Sequence, residues 1–243
     1  MSNQLITPIA RVIISEGSKG GTGKTNLMVS LAEWFEANEI PAQLLDLDIE
    51  NKKRGSLSHF FPDTPKININ TPAGLDAFID YALNGASHII ADMGASSGDV
   101  TKKWFDSLYP QVAEAGIVFT AIGVITEDSA SVEGVLQWAS QLQSKVSYLI
   151  VKNSINQQTN FDYWDNTREA REFVKTFNPA VIQMDYRLPE LEQAMRNHGV
   201  TLGQVAAREV DAPELRKGAL TMRAQGLRRA IFSEFDRVKD ILL

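Results

Sequence analysis

The sequence predicts an α/β protein: a mostly parallel β-sheet flanked by helices, three layers deep, in one domain spanning 1–243. Three observations carry that prediction. Short apolar runs alternate with longer amphipathic stretches, the pattern of repeated βαβ units. Several of those runs are rich in Val, Ile and Leu, as strands covered on both faces are. The chain has 243 residues, enough for one well-buried domain, with no internal repeat and no linker-like composition.

In chain order, the expected strands are Ala10–Ser15, Ala42–Leu47, Ser87–Asp92, Gly116–Ile122, Val146–Val151 and Ala180–Met184. The expected helices are Lys24–Asn38, Gly74–Leu83, Val100–Gln111, Ser129–Leu142, Asp162–Phe177 and Leu188–Asn197. A long last helix should run from about Pro213 to the end. Leu220, Leu227, Ile231, Phe235, Val238 and Leu242 keep helical spacing there, so one face should dock on the domain. Lys52–Pro72 is polar, contains Pro62, Pro65 and Pro72, and reads as an extended loop.

Composition narrows the chemistry. Hydrophobic residues make up 44% and charged residues 22%, as in an ordinary soluble protein. The net charge of −6 means that binding to nucleic acid or an anionic membrane would need a local basic patch. Cysteine is absent, which removes disulfides, thiolate metal sites, iron–sulfur clusters and thiol nucleophiles. Met1-Ser-Asn-Gln-Leu-Ile-Thr-Pro8 lacks the pattern of a signal peptide, and the apolar run Ala115–Ile125 is too short to span a bilayer. The expected location is the cytosol.

The most specific stretch is Gly17-Ser-Lys-Gly-Gly-Thr-Gly-Lys-Thr25, between a predicted strand and a predicted helix. It fits the phosphate-loop pattern G-x-x-x-x-G-K-[ST], with Ser18 in place of the first glycine. Glycines let backbone N–H groups curl round phosphate oxygens, and the helix N-terminus adds a favourable dipole. Gly20, Gly21, Thr22, Gly23, Lys24, Thr25 and Asn26 are therefore the expected nucleotide contacts. Lys24 would neutralise the β and γ phosphates, and the Thr25 hydroxyl would ligate Mg²⁺. His88-Ile-Ile-Ala-Asp92 ends an apolar run in a carboxylate suited to hold a magnesium-bound water. Leu44-Leu-Asp-Leu-Asp48 carries two aspartates on alternate faces; Asp48 is placed to orient an attacking water, and Asp46 to support it.

These residues resemble the ParA/MinD family of deviant Walker-A ATPases. Lys19-Gly-Gly-Thr-Gly-Lys-Thr25 is similar to that family's K-G-G-[VT]-G-K-[ST], whose first lysine is its signature. Asp46-Leu-Asp-Ile-Glu50 is similar to D-x-D-P-Q, with Ile49-Glu50 departing from Pro-Gln. The segment Ile125–Gly134, with its S-x-x-G, and Ala194–Leu202, similar to A-x-x-x-G-x-P-[LIV], extend the resemblance over about residues 10 to 205. It implies a phosphate-loop NTPase fold of the SIMIBI type, with ATP and Mg²⁺ as cofactors. It also implies an ATP-bound homodimer in which Lys19 reaches the partner's nucleotide, as an arginine finger does in trans. N-K-x-D, the guanine reader, is absent, and Asn153 matches the position where relatives place an adenine-contacting Asn. The relatives' Ile-Pro near the base has no clear match around Tyr186–Pro189.

Branches of the superfamily that need cysteines are excluded, as are tyrosine kinases with a C-terminal tyrosine cluster, since Tyr186 is the last tyrosine. The mixed-charge end Phe232–Leu243 does not resemble a basic membrane-targeting tail. What remains is a partition or positioning ATPase of a bacterial or archaeal cytosol, bound to the nucleoid if it binds DNA, with a small adaptor or centromere-binding-type partner. Arg216, Lys217, Arg223, Arg228 and Arg229, read as lying on the last helix, fit DNA phosphate contacts and equally a solvated face. Asp92-Met-Gly-Ala-Ser-Ser97 is more similar to the D-x-G-A-S-S of TraL/StbC-type conjugation and plasmid-stability ATPases. A nucleotide-binding module with negligible hydrolysis is the alternative of another class, motivated by Ser18 and Ile49-Glu50.

Overall fold

The computed structural model describes residues 9–49, 55–85, 87–94 and 98–243. The N-terminal octapeptide, Glu50 in the aspartate segment, residues 51–54 and Ala95–Ser97 of the D-x-G-A-S-S match lie outside the described residues.

The chain forms β1 (Ala10–Glu16), α1 (Lys24–Ala37), β2 (Gln43–Asp46), α2 (Leu57–Phe60), α3 (Pro72–Asn84), β3 (His88–Asp92), α4 (Gly98–Glu114), β4 (Ile117–Ile125) and α5 (Ser129–Leu142). It continues through β5 (Ser147–Asn153), α6 (Asp162–Asn166), α7 (Arg168–Phe177), β6 (Ala180–Met184), α8 (Pro189–His198), α9 (Leu202–Ala207), α10 (Gly218–Arg237) and α11 (Lys239–Leu242). The six strands make one sheet in the order β2-β3-β1-β4-β5-β6, and every pairing is parallel. β1 lies between β3 and β4, in register from Arg11↔His88 and Ala10↔Ile117. Neighbours in space but not in sequence, these strands open the crevice where ligands bind in doubly wound sheets.

Strand alternation sends side chains to two cores. Val12, Ile14, Ala91 and Phe119 pack with Leu75, Phe78 and Trp138 on the α3 and α5 side. Ile13, Ile90, Ile122 and Val151 pack with Leu27, Leu31 and Phe35 of α1 and with Ile231 and Phe235 of α10 on the other. The chain end is fastened as well: the Arg11 guanidinium donates to the Ile241 and Leu243 carbonyls, both at 3.1 Å. Trp34 Nε1 of α1 donates to Asp236 Oδ1 at 2.9 Å.

Three local expectations are corrected. Lys52–Pro72 is not loop throughout its described part. Leu57 and Phe60, three residues apart, bury together as one helical turn, and Lys66 bridges Asp46 in parallel. The helix expected over Asp162–Phe177 breaks at Thr167 (φ −68°, ψ 143°), after Asn166, where short polar side chains favour helix ends over interiors. The last helix starts at Gly218 and breaks at Val238, so Arg216 and Lys217 precede it. The Arg216 Nε–H binds the Val210 carbonyl at 2.7 Å and pins that turn outside the helix.

Candidate functional site

The carboxyl ends of β1, β2, β3 and β5 converge on one side of the sheet, and the loop after β1 lies above them. Gly17, Gly21 and Gly23 have φ of 115°, 75° and 96°, a left-handed path that side chains resist. At Gly23 the constraint is also spatial: a Cβ there would lie 2.5 Å from Asn153 Nδ2. Asn153 is buried and donates to the Thr22 carbonyl at 2.8 Å, so the end of β5 props the loop from behind. Ser18, the departure from the glycine pattern, fits because α5 presents Gly134 opposite it; a Cβ at 134 would sit 2.9 Å from Ser18 Oγ.

Lys24 begins α1 and is buried, its ammonium 2.9 Å from the loop's own Lys19 carbonyl. Burial pulls its pKa down, against the opposing pull of Asp92 and Asp48. Asp92 is fully buried. Its Oδ1 accepts from Ser15 Oγ at 3.0 Å, Ser15 in turn accepts the Met93 N–H at 2.8 Å, and Oδ2 has no hydrogen-bond partner among the described residues. Burial pushes the Asp92 carboxyl up to about 7; the Thr25 and Ser15 hydroxyls pull it down, while Asp46 and Asp48 add to the rise.

Asp46 and Asp48 divide as their alternation suggests. Asp46 is enclosed: Oδ1 accepts the Asp48 N–H at 3.0 Å, and Oδ2 meets the Ser58 hydroxyl, the Ser58 N–H at 3.2 Å and the Lys66 ammonium at 3.3 Å. Asp48 lines the cavity instead. It has room because residue 94 is glycine; a Cβ there would come within 2.8 Å of Asp48 Oδ1.

Two cavities result. One of about 390 Å³ is lined by residues 20–26, Asp48, Met93, Gly94, Glu192 and Arg196. The other, about 240 Å³, is lined by Asn153, Met184, Tyr186 and Arg187, and shares Gly21, Gly23, Asn26 and Glu192 with the first. The first has the donors and cation that a phosphate chain needs, and the second, beside Asn153, has space for a base. A divalent cation at the Thr25 hydroxyl, which lines the first cavity, would have the buried Asp92 carboxylate behind it, and one carboxylate plus water is the usual supply for Mg²⁺.

Lys19 does not line either cavity. Its ammonium pairs with Asp128 at 2.9 Å, both side chains more than two-fifths exposed. Asp128 caps α5 by accepting the Ala130 N–H at 2.9 Å, and Lys19 holds its carboxyl below the usual range. Arg223 and Arg229 are exposed on α10, but Arg228 is half-buried with its guanidinium 4.2 Å over the Phe232 ring.

Arg187, Glu192, Arg196 and Gly94 escaped the sequence reading. Glu192 Oε1 accepts from Asn26 Nδ2 at 3.0 Å and from Arg196 at 2.8 Å, tying α8 across the cavity to α1. Pro189 at the first turn of α8 was the only local signal, and it marks a helix start rather than a site.

No family model matches the sequence, and no curated protein does. Among solved structures, the chain is similar to a protein assigned to plasmid partition from Borrelia burgdorferi B31, solved bound to AMPPNP. The TM-score is 0.50 at 10% identity, over 88% of this chain and 98% of that one. It is also similar to MinD of Aquifex aeolicus, at TM-score 0.49 and 16% identity over 95% and 97% of the two chains. MinD of Pyrococcus horikoshii OT3, solved with Mg-ADP, gives 0.49 and 14% over 96% and 99%. The fold, a six-stranded parallel sheet flanked by helices, is shared with the Borrelia burgdorferi protein. At such identity the likeness speaks to the fold alone.

Proposed function

We propose that this chain is a Mg²⁺-dependent ATPase of the ParA/MinD type, an ATP-driven dimer switch used in partition or cargo positioning. The observation that carries the reading is the pair of joined cavities at the carboxyl end of the sheet. There the glycine loop, Lys24, Thr25 and Asp48 face one space, with Asp92 buried behind them.

In this reading the loop N–H groups and Lys24 hold the phosphates, Asp48 orients water in line with the γ phosphate, and Asn153 reads adenine. Thr25, and Asp92 through water, would hold Mg²⁺, which would supply charge neutralisation for the phosphates. Lys19 acts in trans on the partner's nucleotide; its exposure and its absence from its own subunit's cavity support that assignment. Nonspecific DNA contact falls to exposed Arg223 and Arg229, with Arg216 and Lys217 beside them and Arg228 turned elsewhere. A small adaptor partner belongs to the same reading. The TraL/StbC-type alternative rests on the Asp92–Ser97 segment alone.

ATP hydrolysis by the wild type and by Lys19→Ala, Lys24→Ala and Asp48→Ala decides between enzyme and inert module. The expected result is wild-type turnover lost in all three; equal rates throughout would leave only a binding module. Light scattering of Asp48→Ala with and without ATP tests the switch. An unchanged mass with ATP rules out the dimer and the trans role of Lys19.

A further inference from the structure

A larger cavity, about 930 Å³, lies outside the nucleotide site, at the sheet edge formed by β2. Its walls come from α1, β2, the segment after α2, α9 and α10. Glu33, Glu36, Asp63 and Glu209 line it, against a single cation, Arg228. Besides the carboxylates, apolar surface from Ala42, Leu44, Phe61, Pro62 and Ala206 lies alongside polar Gln43, Thr64, Thr201, Gln204 and Gln225.

Glu33 sets this groove apart from a solvated acidic face. It is only 6% exposed. Its Oε1 accepts the Gly203 N–H at 2.7 Å, while Oε2 has no hydrogen-bond partner among the described residues. The seat is built for it, since a Cβ on Gly203 would lie 2.3 Å from Oε1. Burial raises the Glu33 carboxyl against the pull of Thr201, Gly203, Arg228 and Arg187, so its surroundings leave its charge under-compensated. The Arg228 guanidinium lies over Phe232, and its Nε also has no hydrogen-bond partner among the described residues.

We propose that this groove binds a flexible organic polycation of the polyamine class. One ammonium group donates to Glu33, further ammonium groups meet Glu36, Asp63 and Glu209, and the methylene chain lies on the apolar surface alongside them. Charge complementarity selects the cation, and carboxylates spread over three segments, Glu33 and Glu36 on α1, Asp63 after α2 and Glu209 after α9, select several ammonium groups joined by a flexible chain. A polypeptide strand fits less well, because the β2 edge is already occupied. Gln43 Nε2 donates to the Leu44 carbonyl at 2.9 Å, and Asp46 exchanges backbone hydrogen bonds of 2.9 Å with Pro65 and Ile67.

Isothermal titration of the full chain with spermidine, without nucleotide and in about 0.15 M salt to screen diffuse attraction, tests the site. Because nucleotide is left out, failure here leaves the ATPase reading untouched. Saturable one-site binding is expected, weakened about tenfold by Glu33→Gln, as for loss of a charge-assisted hydrogen bond. The rim pair Glu36→Gln/Asp63→Asn, both exposed and free of folding consequences, should weaken it about threefold and decides the matter if Glu33→Gln does not fold. Binding that is absent, or equal in wild type and variants, overturns the proposal and marks a general response to the net charge of −6. Tighter binding of a Lys/Arg-rich peptide than of spermidine overturns it in favour of a polypeptide occupant.

Discussion

Two carboxyl groups end neighbouring strands of the same sheet, and the protein treats them differently. Asp92, on the α1 side, has hydroxyls at Ser15 and Thr25 and an ammonium nearby at Lys24, and its neighbours Lys24, Thr25 and Met93 line a cavity. Glu16, one residue beyond Ser15 and so on the opposite face, is 1% exposed, and neither of its oxygens has a hydrogen-bond partner among the described residues. Burial pushes both upward, Asp92 to about 7 and Glu16 to about 8. The difference lies in the surroundings: where polar groups and open space converge, a costly buried carboxyl reads as ligand-directed, and where they do not, only the cost remains.

The largest expected effect is on the supplied side. Lys24→Ala removes the cation proposed to meet the phosphates and should lower ATP turnover by about 10³-fold, the scale of an electrostatic transition-state group. A phosphate-release assay checks it, and turnover within a few-fold of wild type would detach Lys24 from the chemistry. Gly94→Ala comes next. Its Cβ would stand 2.8 Å from Asp48 Oδ1 and displace that carboxylate while leaving the loop alone. Hydrolysis should fall about 10²-fold, as for a misplacement near 1 Å, with ATP affinity nearly kept. Parallel loss of affinity would mean that Asp48 serves binding rather than water.

Much of the supplied side was legible in the sequence, because its parts are local. The glycine loop, the strand-end aspartates and helix Ser129–Leu142 follow from spacing within a few residues, and strand Ala180–Met184 was bounded to the residue. The short α9 carries a capping box at Thr201 and Gln204 that the sequence spells out, yet it went unread. Other features were out of reach of local pattern. The Gly94–Asp48 approach, the Glu192 tie to Asn26 and the Glu33 groove join residues far apart in the chain, where tertiary packing decides. Leu57–Phe60 was hidden because four residues with prolines nearby show no helical period.

Glu16 gives the next prediction, in stability rather than rate. Its folded pKa of about 8 stands above the model-peptide value of 4.5, so the folded state holds the proton more tightly. Stability is therefore full below about pH 4.5 and is lost as pH rises toward 8, by about 1.4 kcal/mol per pH unit at most. Glu16→Gln removes the ionisation, so urea unfolding should show the variant gaining on wild type from pH 5 to 8, by about 2 kcal/mol or more. Parallel pH profiles would show that Glu16 is compensated after all, and the contrast with Asp92 would collapse.

The smallest effect concerns a pair between these extremes. Lys19 and Asp128 are 2.9 Å apart but exposed, so the bond between them should leave the melting temperature unchanged when broken. Its consequence is positional. While paired, Lys19 is held against the start of α5 in its own subunit, and to serve a partner's nucleotide it must leave. Asp128→Asn keeps an acceptor for the Ala130 N–H and removes the counter-charge. ATP-dependent dimerisation, followed by light scattering against ATP concentration, should then reach its midpoint at about two- to threefold less ATP, since less is spent on breaking the pair. The same substitution in a Lys19→Ala background should change nothing. A shift that persists without Lys19 would assign the effect to the α5 cap and leave the lysine as surface charge.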